Sequence, residues 1–363
     1  MNSESLLLLN LVRVGLGDEA LADALVQKGL DSPEAPVDWH SFLGLAASQG
    51  MSPIVTDALQ ILSDRGLESS LDDEAWEEER YACFGDLMAS EQQWEDYTRS
   101  LGRLSEYLSR GGAERVLVLK GFGLALNYPQ PAHRTMGDID LFALDGKMDS
   151  AEAGLAKLRR YKGRESDKVR HSHAVFNKIS IENHFHFTDA SNPDRDGEME
   201  AVLLREAQER SREVEVGEGA GVWLPSADFN AIFLIWHMAA HFTIEKVNMR
   251  QLADWLCFLR AESGNIHWDK VEEIWRRSRK KRFADAVNGV MISYFGMDPS
   301  LVPPFERCEE DERRFMEFVL ESPPLETRGI EAVVKYWRRR WNFRLAHDSH
   351  WLPALLKAVF SKI

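Results

Sequence analysis

Apolar side chains recur at three- and four-residue intervals through Leu6–Val14, Ala20–Val26, Trp39–Ala47 and Ile54–Leu62, the period of helices that bury one face. Breaks at Gly29, across Ser32–Pro36 and at Gly50–Pro53 separate these helices. An acidic stretch, Leu71–Arg80, leads into a long polar helix through Leu101, Leu104 and Leu108 that stops at Gly111-Gly112. The pattern then changes to short apolar runs. Arg115–Leu119 reads as a buried strand ended by Lys120-Gly121, and Asp138–Leu144 as a second. Phe122–Tyr128 fits one short helix halted by Pro129 and Pro131, and Ser150–Tyr161 fits an amphipathic helix through Ala151, Leu155 and Leu158. Val175-Phe176 and Ile179–Phe187 read as an antiparallel hairpin turning near Asn177-Lys178. A charged linker, Asn192–Gly221, precedes a return to helix. Pro225-Ser226-Ala227-Asp228 signals a start before Phe229–Thr243, and further helices fit Met249–Glu262, Trp268–Arg277, Phe283–Tyr294, Glu309–Leu320 and Glu331–Arg344. The pattern predicts an α+β protein, with a sheet-containing unit over residues 113–222 between helical regions over 1–112 and 223–363. It contains no internal repeat and no low-complexity segment.

Composition narrows the class. With 44% hydrophobic and 28% charged residues in 363, the chain fits a globular protein and not a collagen-like, disordered or disulfide-scaffold one. Its first apolar run follows Glu4 and is interrupted by Asn10 and Arg13, which argues against a signal peptide or membrane span. Cys83, Cys257 and Cys308 are widely spaced with no C-x-x-C, so a reducing cytoplasm is the expected location. The net charge of −15 is unevenly placed. Residues 1–110 hold 7 Lys and Arg against 21 Asp and Glu, a surplus that disfavours nucleic acid as a partner. Against this stand two basic clusters, Arg276–Arg282 and Lys335–Arg340, which read first as solvated helix faces.

The sharpest chemical signal is Gly137-Asp138-Ile139-Asp140-Leu141. On a strand, side chains alternate, so Asp138 and Asp140 share a face while Ile139 and Leu141 enter the core. Two carboxylates side by side repel unless a cation lies between them, and hard divalent ions prefer such oxygen ligands. Upstream, Lys120, Gly121 and Gly123 sit at a strand end leading into a helix, an arrangement that can hold a phosphate, with Lys120 supplying charge. Downstream, Ser180, Glu182, His184 and His186 fall on one strand face, which offers Glu182 as a third carboxylate. His171, His173, His184 and His186 are candidate metal ligands, nucleotide contacts or proton shuttles. His237 and His241 share a helix face, but Met238 stands where a zinc protease needs Glu, so a helix contact is favoured for them. No Walker loop, dinucleotide fingerprint or G-x-S-x-G elbow is present.

Leu119-Lys120-Gly121, Tyr128-Pro129, Arg134, Asp138-Ile139-Asp140-Leu141 and Ile181-Glu182-Asn183-His184-Phe185 together resemble the uncharacterised bacterial nucleotidyltransferase family of the DNA polymerase beta-like superfamily. Val37-Asp38-Trp39 to Pro53-Ile54 and His237–His241 with Asp254 extend the resemblance over most of residues 6–260. It implies a nucleotidyltransferase-like mixed sheet and transfer of an NMP group from an NTP to a small molecule, protein or RNA end with Mg²⁺ or Mn²⁺. It further implies Asp138, Asp140 and Glu182 as catalytic metal ligands, and Lys120, Gly121, Gly123, Arg134 and His184 as nucleotide contacts. A surface ion pair is the alternative for Arg134. Two departures stand out: Lys120-Gly121 replaces the superfamily's G-S turn, and Asn183 occupies a position often apolar. Two other readings stay open, a catalytically silent nucleotide- or partner-binding module and a His/Asp hydrolase needing a transition metal.

Overall fold

The computed structural model describes residues 3–29, 37–67, 74–163, 171–188, 193–217, 220–321 and 339–347. Its centre is a mixed sheet. Strand β1 (Val116–Leu119) pairs antiparallel with β2 (Ile139–Ala143) and parallel with β7 (Ala220–Leu224). β2 runs parallel to β5 (Ile179–His184), which forms a hairpin with β4 (His171–Phe176). β3 (Arg159–Lys162) and β6 (Arg212–Val216) complete the order β3-β4-β5-β2-β1-β7-β6. Asn177 and Lys178 turn the β4–β5 hairpin with φ of 48° and 72°, the two positive angles that a two-residue turn of right-handed strands requires.

Both faces of the sheet are covered, which is why β1 and β2 are apolar or buried throughout. Val116, Val118, Ile139, Leu141, Ala143 and Ile181 pack against Tyr97, Leu101, Leu104 and Leu108 of the long helix α5 (Glu74–Arg110). On the other face, Leu117, Leu119 and Phe142 join Phe229 and Phe233 of α9 (Ala227–Ile244) and Trp255 of α10 (Met249–Glu262). That same core takes in Leu8 and Val12 of α1 (Ser3–Gly15), Phe42 of α3 (Trp39–Ser48) and Val55 of α4 (Ser52–Asp64), so residues from all three segments of the chain share it. Asp138 and Asp140 precede Phe142 by steps of two. Their side chains therefore face α9 and α10.

The helical expectations beyond residue 223 hold for α9, α10, α11 (Trp268–Arg277), α12 (Lys281–Phe295) and α13 (Glu309–Glu321). Ser226 caps α9 by accepting a hydrogen bond from the Phe229 amide at 3.2 Å. The last expected helix is described only as α14 (Arg340–His347), and Lys335 to Arg338 lie outside the described residues. Two expectations fail. Ser150–Tyr161 is not one helix, because α7 (Met148–Leu155) ends and Arg159–Lys162 becomes edge strand β3, with a bulge and a positive φ of 54° at Arg160. Asn192–Gly221 is no linker. It holds α8 (Pro193–Arg210), which buries Met199, Leu203 and Ala207, and the β6–β7 hairpin. Among the described residues no helix is long and apolar enough to cross a membrane.

Candidate active site

A cleft of about 420 Å³ opens between the β2–β5 face of the sheet and helices α9 and α10. Asp138, Asp140, Glu182, His184, Lys120, Gly121, Arg134, His171, His237, His241, Arg250 and Asp254 all line it. Register explains the carboxylates: β2 and β5 run parallel with Asp140 opposite Glu182, so both side chains leave the same face of neighbouring strands. His184 Nε2 lies 2.9 Å from Asp140 Oδ1 and 3.7 Å from Glu182 Oε2, wedged between the two carboxylates. Glu182 also has His171 Nε2 at 3.6 Å and His173 Nδ1 at 3.8 Å.

Lys120, just past the end of β1 on the strand beside β2, is the cation nearest these carboxylates. Its ammonium lies 3.0 Å from Asp140 Oδ1 and 3.2 Å from His237 Nε2. His237 in turn meets His241 at 3.2 Å, and His241 Nδ1 meets Glu245 at 2.5 Å, so a polar line runs from Asp140 to the exposed end of α9. Burial raises the Asp140 carboxyl pKa, but the Lys120 charge and the His184 hydrogen bond outweigh it and bring the value down to about 2. The backbone that delivers Lys120 is unusual. With φ 53° and ψ −129° it occupies a region that favours glycine, a strain of about 1–3 kcal/mol in the G-S-replacing turn. Gly121 follows at φ 29°, where a Cβ would sit 2.7 Å from the Tyr97 hydroxyl, which itself reaches the Asp138 carbonyl at 3.4 Å.

Arg134 lines the cleft, but its guanidinium is a buried partner of Asp254, with Nε–Oδ1 at 2.7 Å and Nη2–Oδ2 at 2.8 Å. Tyr128 donates to the same carboxylate at 2.8 Å. Burial opposes the Arg134 charge, yet the Asp254 carboxylate holds its pKa above the ordinary value. The surface ion pair expected as an alternative is thus a buried one, because Arg134 is only 5% exposed.

Other expectations are corrected. Gly123 faces β7, where a Cβ would meet Leu224 at 3.1 Å, and lines a neighbouring cavity with Arg210 and Arg212 that shares Lys120 with the cleft. The helix after Lys120, α6 (Gly121–Ala125), is five residues long, too short to build a large dipole, so positive charge at this turn rests on Lys120. His186 lies beyond the end of β5 and pairs with Glu200 at 3.6 Å, not with the Glu182 face. Asn183, the departure on β5, points to the other side, where it donates to Glu152 Oε1 at 2.7 Å. The basic run 276–282 is, as expected, a solvated helix face whose side chains pair locally: Arg277 with Glu198 and Glu273, Lys281 with Asp285, and Arg282 with Asp311. His237, His241 and Arg250 were not expected here. The available signal was two histidines one turn apart in an otherwise apolar helix, Phe229–Thr243, where burial is costly unless they face a cavity.

Asp138, Asp140 and Glu182 supply the oxygen donors that hard divalent cations take, while the groups whose ligand atoms lie within 4.8 Å of one another among the described residues are His171, Glu182 and His184. Neither a curated protein nor a solved structure matches the chain. The profile of a family described as uncharacterised nucleotidyltransferase matches residues 35–295, and the protein belongs to that family.

Proposed function

We propose that the protein transfers an NMP group from an NTP to an acceptor in the cleft between β2, β5, α9 and α10. The observation that carries this is one cleft lined both by carboxylates, Asp138, Asp140 and Glu182, and by basic side chains, Lys120, His237, His241 and Arg250. A nucleotidyl donor needs both, because its triphosphate must be neutralised while its α-phosphorus is exposed to attack. Asp138, Asp140 and Glu182 would hold Mg²⁺ or Mn²⁺, which supplies Lewis-acid polarisation of the phosphoryl oxygens and acidifies the acceptor hydroxyl. Lys120 neutralises the β- and γ-phosphates and exchanges its contact with Asp140 for one with phosphate. Glu182 takes the acceptor proton as the acceptor oxygen bonds to the α-phosphorus. The bond from that phosphorus to the bridging oxygen breaks, and pyrophosphate leaves along the His237–His241 side. Arg134 is a positioning residue, fixing α10 against the turn before Asp138 through Asp254.

The test supplies each of the four NTPs, labelled at the α-phosphate, with Mg²⁺ or Mn²⁺ and a desalted extract as the source of acceptors. Expected is pyrophosphate release with label on a new product, reduced by on the order of a thousandfold in Asp138→Asn and Asp140→Asn. Release of inorganic phosphate with the label left on a nucleoside diphosphate would replace transfer by hydrolysis. Absence of both turnover and NTP binding would leave the silent module.

A further inference from the structure

The β4–β5 hairpin carries a donor set that shares Glu182 with the transfer chemistry and adds histidines which that chemistry does not use. Antiparallel register places His171 directly opposite His184 and His173 directly opposite Glu182, so all four leave one face. One ligand atom from each of His171, Glu182 and His184 lies within 4.8 Å of the other two. The nearest approaches are 3.6 Å from His171 Nε2 to Glu182 Oε1 and 3.7 Å from His184 Nε2 to Glu182 Oε2. Ligands about 2.0–2.1 Å from one tetrahedral ion are separated by roughly 3.3–3.5 Å, so the cluster closes on an ion by small side-chain rotations.

From this geometry we propose that His171, Glu182 and His184 form a site for a first-row transition dication of the Zn²⁺ class. Two imidazoles and one carboxylate are a poor set for Mg²⁺, which takes oxygen, and a good one for borderline ions. The site opens on the cleft, since the His171 and Glu182 side chains keep 27% and 20% of their surface exposed. A fourth position is therefore accessible to water or a substrate oxygen. Ligation through His184 Nε2 would replace its contact with Asp140, and Lys120 would keep its ion pair with that carboxylate. His173, whose ring packs edge-on to His171 at 4.5 Å, steadies the hairpin face without entering the set.

Glu182 is common to this site and the transfer reaction, but the inference does not depend on transfer. The test titrates metal-free protein with Co²⁺ and follows the visible d–d absorption of nitrogen-ligated, low-coordinate cobalt, with competition by Zn²⁺ and by Mg²⁺. Expected is one Co²⁺ per chain, displaced by Zn²⁺ and not by Mg²⁺. His171→Ala and Glu182→Gln, both at partly exposed positions, are expected to weaken binding by on the order of 100-fold or more with unchanged circular dichroism. Asp138→Asn keeps it. No cobalt spectrum, or one unaltered in both variants, overturns the site. Protein that binds NTP with Mg²⁺ and takes up no Co²⁺ overturns this inference alone. Protein that takes up Co²⁺ on the hairpin and binds no NTP keeps the metal site and removes the transfer reading.

Discussion

Replacing Arg134 by Met tests whether this residue secures the cleft or contacts the substrate. Arg134 and Asp254 are 5% and 8% exposed in their side chains and share two charge-assisted hydrogen bonds of 2.7 and 2.8 Å. Without the guanidinium, Asp254 keeps the Tyr128 hydroxyl and a buried charge. The expected cost is about 3–5 kcal/mol, the scale of a broken buried ion pair. Asp254→Leu alone leaves a buried guanidinium and costs a similar amount. The double variant buries no charge and should cost about 1–2 kcal/mol, giving a coupling of several kcal/mol between two residues 120 positions apart. Urea unfolding followed by tryptophan fluorescence measures all four proteins, and calorimetry measures NTP binding to the double variant. Additive single costs, or an Arg134→Met cost below about 1 kcal/mol, would refute the pairing argument. A well-folded double variant that has lost NTP binding would show that Arg134 serves the phosphate directly.

Other outcomes follow from the same geometry. Lys120→Gly should be more stable than Lys120→Ala by about 1 kcal/mol in urea unfolding, because only glycine accepts φ 53° and ψ −129° without strain. Both should weaken NTP binding by roughly tenfold or more, and full affinity in either would remove Lys120 from the phosphate contacts. Gly121→Ala should cost about 1–3 kcal/mol, since its Cβ would crowd the Tyr97 hydroxyl at 2.7 Å, and Tyr97→Phe in that background should recover part of it. The depressed Asp140 pKa, about 2 against an ordinary 3.8, stabilises the fold when the carboxylate is ionised. That contribution, about 2 kcal/mol, is complete above pH 4 and disappears as pH falls toward 2. Unfolding free energies of the native protein should therefore drop more between pH 5 and pH 2 than those of Asp140→Asn, and equal drops would contradict the assigned cause.

The parts of the fold legible in the sequence were those where burial imposes a strong period. β1 and β2 are buried throughout, and apolar but for Asp140, because helices cover both faces, and the β4–β5 turn showed itself through Asn177-Lys178. Strands β3 and β6 were hidden because edge strands carry charge, as Arg159-Arg160 and Glu213 with Glu215 do, and the same charge density made α8 look like a linker. At the site, a strand period of two put Asp138 with Asp140 and Glu182 with His184, but the parallel pairing of β2 with β5 that joins the two pairs is tertiary. The basic side chains were less accessible. His237 reaches Lys120, and His241 reaches His237, only through the packing of α9 across the sheet, and the Arg134–Asp254 pair depends on the docking of α10. Gly123 shares the turn with Lys120 but faces Leu224, a direction set by the backbone twist at Lys120 that spacing does not show.

The most direct test of the central claim is calorimetric binding of the four NTPs, with and without Mg²⁺, to the native protein and to Asp138→Asn/Asp140→Asn. The account predicts binding that requires the divalent ion and is lost in the double variant while the fold persists. NTP binding that is independent of both the ion and the two aspartates, or no binding to the native protein at all, would contradict it.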